Sequence, residues 1–310
     1  MHDGSAGTQP CRVVLVGERT ADPVHGVVLA STDGGGTFHE SASMPNVLHF
    51  RGLLEAGPNE AWLAGDTVDG RGILFRSVDG MQTWRQVVIP YPASELDAVA
   101  IIDGSIVVSG EDGIDGTLLT TPDKGMTWKQ QALVTSSGAP ARLAAIASNG
   151  AVVAVGGTDG NRPVILLSSD HANSFHRVTG LGFNGAVMAL ALVSSGIYAG
   201  GYEQLGSEAR QGIISRSTDG GVHWQRLATP PSATVSSITS VGPSEIVAAT
   251  ISGGFDAILV SRDAGQAWQN STLPGSGLIP VLERLFVGEA RSKSVYAIGG
   301  ASGLFRTGTW

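Results

Sequence analysis

The chain has 310 residues, of which 42% are hydrophobic and only 15% charged, enough apolar material for a sizeable core and too much for a disordered polymer. Its net charge of -8 and the absence of any Lys or Arg run exclude the basic surface that a nucleic-acid backbone requires. Cys11 is the single cysteine, which rules out an intrachain disulfide and a thiolate metal site, and no apolar run reaches membrane-spanning length.

The 44 glycines, together with plentiful Ser, Thr, Val and Ala and no sustained helical periodicity, predict many short strands joined by tight turns. The opening Met1-His2-Asp3-Gly4 does not read as a signal peptide. If Met1-His2 is a remnant of expression, the chain is exported or periplasmic; otherwise it is cytoplasmic.

In chain order, a strand from Cys11 to Val16 closes on Gly17 and makes Cys11 a buried structural thiol. The residues before it, Gly4 to Pro10, are expected to line the first repeat or to pair across a seam with the last. A loop over 18–26 leads to the octapeptide Ser31-Thr-Asp-Gly-Gly-Gly-Thr-Phe38. Five relatives follow: Ser77 to Trp84, Thr121 to Trp128, Ser168 to Phe175, Ser217 to Trp224 and Ser261 to Trp268. Their aspartates, Asp33, Asp79, Asp123, Asp170, Asp219 and Asp263, recur at separations of 46, 44, 47, 49 and 44 residues. A seventh copy is truncated, with Leu304-Phe-Arg-Thr307 matching Leu74-Phe-Arg-Ser77.

Each interval adds further strand-like runs. The fourth repeat displays Leu143 to Ala147, Ala151 to Val155, Val164 to Leu167 and, after its octapeptide, Phe175 to Val178. Four short strands per repeat of this length define a propeller blade. Second strands commonly close on glycine, at Gly17, Gly65, Gly110, Gly156, Gly200 and Gly299, whereas the sixth repeat has Ala249-Thr250. The expected architecture is therefore all-β: one propeller domain over 1–310, with seven four-stranded antiparallel blades. The repeats divide near 1–45, 46–92, 93–135, 136–180, 181–230, 231–273 and 274–310. Trp310, in the plug position of the last repeat, is expected to be buried at the seam.

The octapeptide has a local physical logic. A strand ends at the Ser or Thr, and the Asp carboxylate accepts backbone N–H bonds inside the reversal that follows. A glycine at the fifth position supplies backbone freedom, and the Trp or Phe plugs the core as the chain returns. The six aspartates read as turn staples rather than as catalytic acids.

The pattern Ser-x-Asp-x-Gly-x-Thr-Trp resembles the Asp-box, or bacterial neuraminidase repeat, of β-propeller blades. That resemblance covers nearly the whole chain, and it embraces several functions. Sialidases carry a similar repeat on six blades but add an arginine triad, a Tyr nucleophile activated by Glu and an Asp acid/base. No Arg-Ile-Pro element precedes the first octapeptide here, and no Tyr–Glu pairing is identifiable. Tandem-propeller xyloglucanases set catalytic acids across a cleft between two propellers. The group most similar in length and blade number is that of single-propeller proteins resembling photosystem II assembly factors. This resemblance implies non-catalytic docking or assembly, with an arginine patch in the binding surface, which Arg51, Arg142 and Arg284 match loosely.

Candidate sites lie on the face bearing the second-to-third-strand loops and the inter-blade connections, where loop lengths are unequal. Arg51, Arg142 and Arg284 sit on or near inner strands, offering an anion site at the channel, although their registers differ. Asp66 and Glu111 begin loops on this face, and His25 and His49 belong to it. The longest loop, from Tyr202 to Gly212, carries Tyr202, Glu203 and Arg210. No loop has the dense acidic spacing of a calcium site, and the two histidines lack metal-ligand spacing. No catalytic residue, cofactor or metal is assigned. The expected function is an interaction or assembly module, monomeric, binding another protein or a small ligand at the loop-rich face. The alternative is a glycosidase or sialidase-like enzyme with a divergent channel site, or a glycan-binding protein.

Overall fold

The computed structural model describes residues 3–5, 12–19, 25–113, 115–131, 141–160, 162–207, 209–229, 234–251, 257–271, 282–287, 295–299 and 303–306. Among these, every regular element is a strand, and the strands fall into seven antiparallel sheets. Six sheets have four strands and the seventh has three. Each sheet is laid down in sequence order from an inner to an outer strand, the meander that a repeat of this length folds into when its turns are short.

Asp3–Ser5 supplies the inner strand of blade 1, with Asp3 opposite Val16 and Ser5 opposite Val14. Gly4 and Ser5 of the N-terminal segment thus lie inside the first repeat, and residues 6–10 lie outside the described residues. The remaining inner strands are Val47–Glu55, Glu95–Ile102, Ala141–Ser148, Gly185–Val193, Thr234–Ser240 and Leu282–Val287 in blades 2 to 7. Each packs against the blade before it, and Asp3–Ser5 packs against Leu282–Val287, so the ring closes. The arrangement is a seven-bladed β-propeller. Trp310, Cys11 and the Arg284 side chain lie outside the described residues.

Burial explains why these sequences alternate so weakly. Second strands are covered on both faces by neighbouring blades, and Ala61–Thr67 and Ser105–Glu111 are buried along nearly their whole length. Outer strands such as Lys129–Gln130 face solvent and carry polar residues. The core is a series of clusters sandwiched between blades. One unites Trp62, Leu74, Leu96, Ile106, Val108 and Leu119 of blades 2 and 3. Trp62 is fully buried, and a fully buried large apolar side chain of this kind contributes roughly 2–3 kcal/mol.

The octapeptide turns repeat one hydrogen-bond scheme. In the second, Asp79 accepts from the Ser77 hydroxyl at 2.8 Å and from the Thr83 amide at 2.9 Å. The Ser77 Oγ in turn accepts from the Met81 amide at 2.9 Å. The hydroxyl and amide of Thr83, then the hydroxyl of Ser77, hold the Asp79 carboxyl down at about 2. The other five aspartates are lowered by the same kind of bonds. At the fifth position Gly221 has φ 95°, and a Cβ there would sit 2.6 Å from Leu167 of the preceding blade. The following aromatic then fills the gap between the same two blades, as Trp224 does against the cluster of blades 4 and 5.

Inner strands share a further device. Those of blades 2 to 7 share a one-residue register shift that places Arg51, Asp97, Ala144, Met188, Ser236 and Glu283 at equivalent bulges, and blade 2 has a second shift at Leu48. The bulge brings inner-strand carbonyls close to the second strand. A Cβ on Gly65, Gly110, Gly157 or Gly201 would fall 1.7–2.1 Å from the carbonyl oxygen of the residue two before the bulge. By this register, the glycines equivalent to Gly65 and Gly110 in blades 4 and 5 are Gly157 and Gly201, one position later than Gly156 and Gly200.

Candidate functional site

The bulges give a common frame for the channel end of the loop-rich face. Two residues before each bulge, an inner-strand residue stands opposite the end of the second strand. These cross-strand pairs are His49–Asp66, Glu95–Glu111, Arg142–Thr158, Ala186–Tyr202 and Thr234–Ile251 in blades 2 to 6. In blades 2 to 4 they are ionic or strongly polar, and in blades 5 and 6 they are not.

The ionic members form a continuous chain across three blade interfaces. His49 Nε2 lies 2.9 Å from Glu18 of blade 1, and His49 Nδ1 lies 2.8 Å from Asp66 Oδ2. Both contacts are hydrogen bonds only when the ring carries both protons. Arg51 Nε donates to Asp66 Oδ1 at 2.8 Å, while its Nη2 reaches Glu95 Oε2 of blade 3 at 3.2 Å. Arg142 of blade 4 donates to the other oxygen of Glu95 at 2.8 Å. Burial works against the Arg51 charge, but the Asp66 hydrogen bond and the fields of Glu95, Asp66 and Asp97 outweigh it and hold its pKa above the usual value.

Asp97 occupies the bulge of blade 3 and is 6% exposed. Its Oδ1 is 3.9 Å from Arg51 Nε, and its Oδ2 is buried with no hydrogen-bond partner. Burial, then the neighbouring Glu95 charge, pushes the carboxyl up to about 6 against the pull of Arg142 and Arg51, and Glu111 adds to the rise. Glu95 and Glu111 also face each other across the ladder, a like-charge pairing that destabilises a sheet unless cations intervene. Arg51 and Arg142 supply those cations from either side.

Of the residues singled out in the sequence, Arg51, Arg142, His49, Asp66 and Glu111 come together in this arc. Arg51 and Arg142 meet at a shared carboxylate, Glu95. His25 stands apart, paired in the ladder with Arg19 in blade 1. Tyr202, Glu203 and Arg210 form a separate group in blade 5, where the Arg210 guanidinium stacks 4.2 Å from the Tyr202 ring centroid. Glu203 binds Arg226 at 2.7 Å. Sequence reasoning missed Glu95 and Asp97. The signal was present as an acid–x–acid start to the third inner strand, aligned with His49-x-Arg51, but the one-residue bulge obscures that alignment.

Among the described residues no group of three or more His, Cys, Asp or Glu side chains is arranged to hold a metal ion, and no helix is long and apolar enough to cross a membrane.

Seven meandering sheets closed around an axis define the class, a β-propeller with a charged arc at one end of its channel. No family model matches the sequence, and no curated protein matches it. Solved structures do. The chain is similar to Ycf48 bound to D1 peptide, at TM-score 0.70 and 16% identity, covering 100% of this chain and 91% of that one. Ycf48 from Cyanidioschyzon merolae gives TM-score 0.70 and 16% identity over 99% of this chain and 94% of that one. The GH74 xyloglucanase from Xanthomonas campestris gives TM-score 0.53 and 13% identity, covering 99% of this chain and 65% of that one. At these identities the likeness establishes the fold.

Proposed function

We propose that the protein is a non-catalytic interaction or assembly module, a single propeller domain over 1–310 that binds another protein through its loop-rich face and channel mouth. In this reading the octapeptide turns are Asp-boxes, and the chain is of the kind that resembles photosystem II assembly factors. The observation that carries the reading is the difference between the two faces. One face repeats the same hydrogen-bonded turn blade after blade. The other changes its charged and polar residues from blade to blade, as recognition on a fixed scaffold requires.

Two further points support binding over hydrolysis. A propeller of this shape with a peptide bound, Ycf48 with D1 peptide, provides a precedent for the mode of use. A glycoside hydrolase, by contrast, needs two carboxyl groups facing an open substrate. Here Asp66 is bound by Arg51 and His49, and Glu95 by Arg51 and Arg142.

Site-specific photocrosslinking tests the reading. Benzoylphenylalanine replaces Val68, 57% exposed on a loop-rich-face turn, or Val222, 68% exposed in an octapeptide turn. A recurrent protein adduct is expected from position 68 in the native host and not from 222. Adducts formed only from position 222, or equally from both, would overturn the assignment of the face.

A further inference from the structure

The charged arc has an unbalanced composition. Among the described residues, the carboxylates Asp66, Glu95, Asp97 and Glu111 outnumber the bases set against them, Arg51, Arg142 and His49. The imbalance is concentrated in blade 3, where three carboxylates meet across one bulge and both arginines direct their hydrogen bonds to Glu95 or Asp66. Asp97 is left with a buried oxygen that has no hydrogen-bond partner among the described residues. A buried acceptor without a donor costs free energy that a ligand donor would recover.

The accessibility of the three bases also differs. The Arg51 side chain is 26% exposed and pinned between two blades, whereas the Arg142 side chain is 51% exposed and holds Glu95 through one bond. Arg142 is the cation that an incoming group displaces at least cost. The carboxylates are spread over neighbouring strands rather than arranged around a metal-sized point. Such spacing suits a cation with several N–H donors.

We propose that the Glu95–Asp97–Glu111 bulge of blade 3 is a docking site for a basic side chain of a polypeptide partner, whose guanidinium or ammonium group bonds Glu95 and the free oxygen of Asp97 in competition with Arg142. This rests on the interaction-module reading and gives it a chemistry: the partner segment entering the channel mouth is basic. It differs from the expectation of an anion site built from arginines, because Arg51 and Arg142 are each already bound to a carboxylate.

The probe is a fluorescein-labelled Gly-Ser peptide with two central arginines, measured by anisotropy at pH 7.5 and low salt. Asp97→Asn is expected to weaken binding about tenfold, the loss of one charge-assisted hydrogen bond. Asp103→Asn removes the same charge from an exposed turn whose φ of 47° suits asparagine, and is expected to leave binding unchanged. Arg142→Ala is expected to tighten it by removing the internal competitor. Three results would each overturn the proposal: equal affinity for the Asp97 and Asp103 variants, weaker binding by Arg142→Ala, or preference for the same peptide with glutamates. Free agmatine binding as tightly as the peptide would overturn the polypeptide source. None of these outcomes depends on the crosslinking result, so a failed peptide titration with adducts still formed at position 68 rejects only the cation site.

Discussion

The two arcs of the propeller are built on the same backbone and filled with different chemistry. In blades 2 and 3 the bulge residues are Arg51 and Asp97, and in blades 5 and 6 they are Met188 and Ser236. The neighbouring cross-strand pairs change in step, from His49–Asp66 and Glu95–Glu111 to Ala186–Tyr202 and Thr234–Ile251. The bulge itself is therefore independent of what it carries. It is a scaffold feature, whereas the charges of one arc are an addition that the fold does not need.

That contrast is broken most severely by removing Arg51. Its guanidinium answers Asp66 and Glu95 together, and its loss leaves carboxylates facing one another in a half-buried place. Arg51→Ala is expected to lower stability by about 2–4 kcal/mol in urea denaturation, somewhat below the cost of breaking a fully buried pair. Met188→Ala, at the matching bulge of the neutral arc, is expected to cost about 1 kcal/mol for a half-buried thioether stem. Equal losses would mean that the charged arc is held by packing alone.

The comparison also marks what the sequence discloses. The octapeptides announce blade count and turn chemistry because each is local: Ser77, Asp79 and Thr83 meet within seven residues of one another. The arc is non-local. Arg51 and Glu95 are joined across two blades, and the equivalence of Arg51 with Asp97, and of His49 with Glu95, is hidden by a bulge that shifts the apparent register by one. The same shift explains why Gly156 and Gly200 stand in for Gly157 and Gly201 when strands are aligned by eye. The inner strand of blade 1 was illegible for another reason. Asp3-Gly4-Ser5 has no strand-like side chains and is placed by pairing with Val14 to Val16.

A smaller effect, opposite in sign, is expected at Asp97. Its folded pKa of about 6 lies above the ordinary aspartate value near 3.8, so the folded protein holds a proton that the unfolded chain has released between those values. Stability from this group therefore falls as pH rises from 4 to 6, and the penalty is fully present at neutral pH. Asp97→Asn removes it and is expected to raise stability at pH 8 by about 2 kcal/mol while changing little at pH 4. A variant less stable than the parent at pH 8 would show that the ionised form is held by stronger contacts than the Arg51 geometry provides.

The smallest effect tests whether the arcs differ at their far ends, where the octapeptide turns lie. Asp79 belongs to the charged arc and Asp219 to the neutral one, yet both accept the same amide at the same position, from Thr83 and His223. They differ in the side chain that closes the turn, a threonine hydroxyl for Asp79 and the His223 ring at 2.6 Å for Asp219, and Asp79 also accepts from the Gln82 amide at 3.1 Å. Both carboxyls are held below the ordinary aspartate range, Asp79 at about 2. A depressed folded pKa contributes stability that is present above the unfolded value and lost as pH falls through the folded one. Asp79→Ala and Asp219→Ala are accordingly expected to lower the melting temperature by similar small amounts at neutral pH, less than either change in the charged arc. Each variant should also flatten the loss of stability below pH 4, because the proton-linked bonds are already gone. If Asp79→Ala alone were strongly destabilising, the turns would be coupled to the arc above them through the blade. The scaffold and the charges it carries would then not be separable.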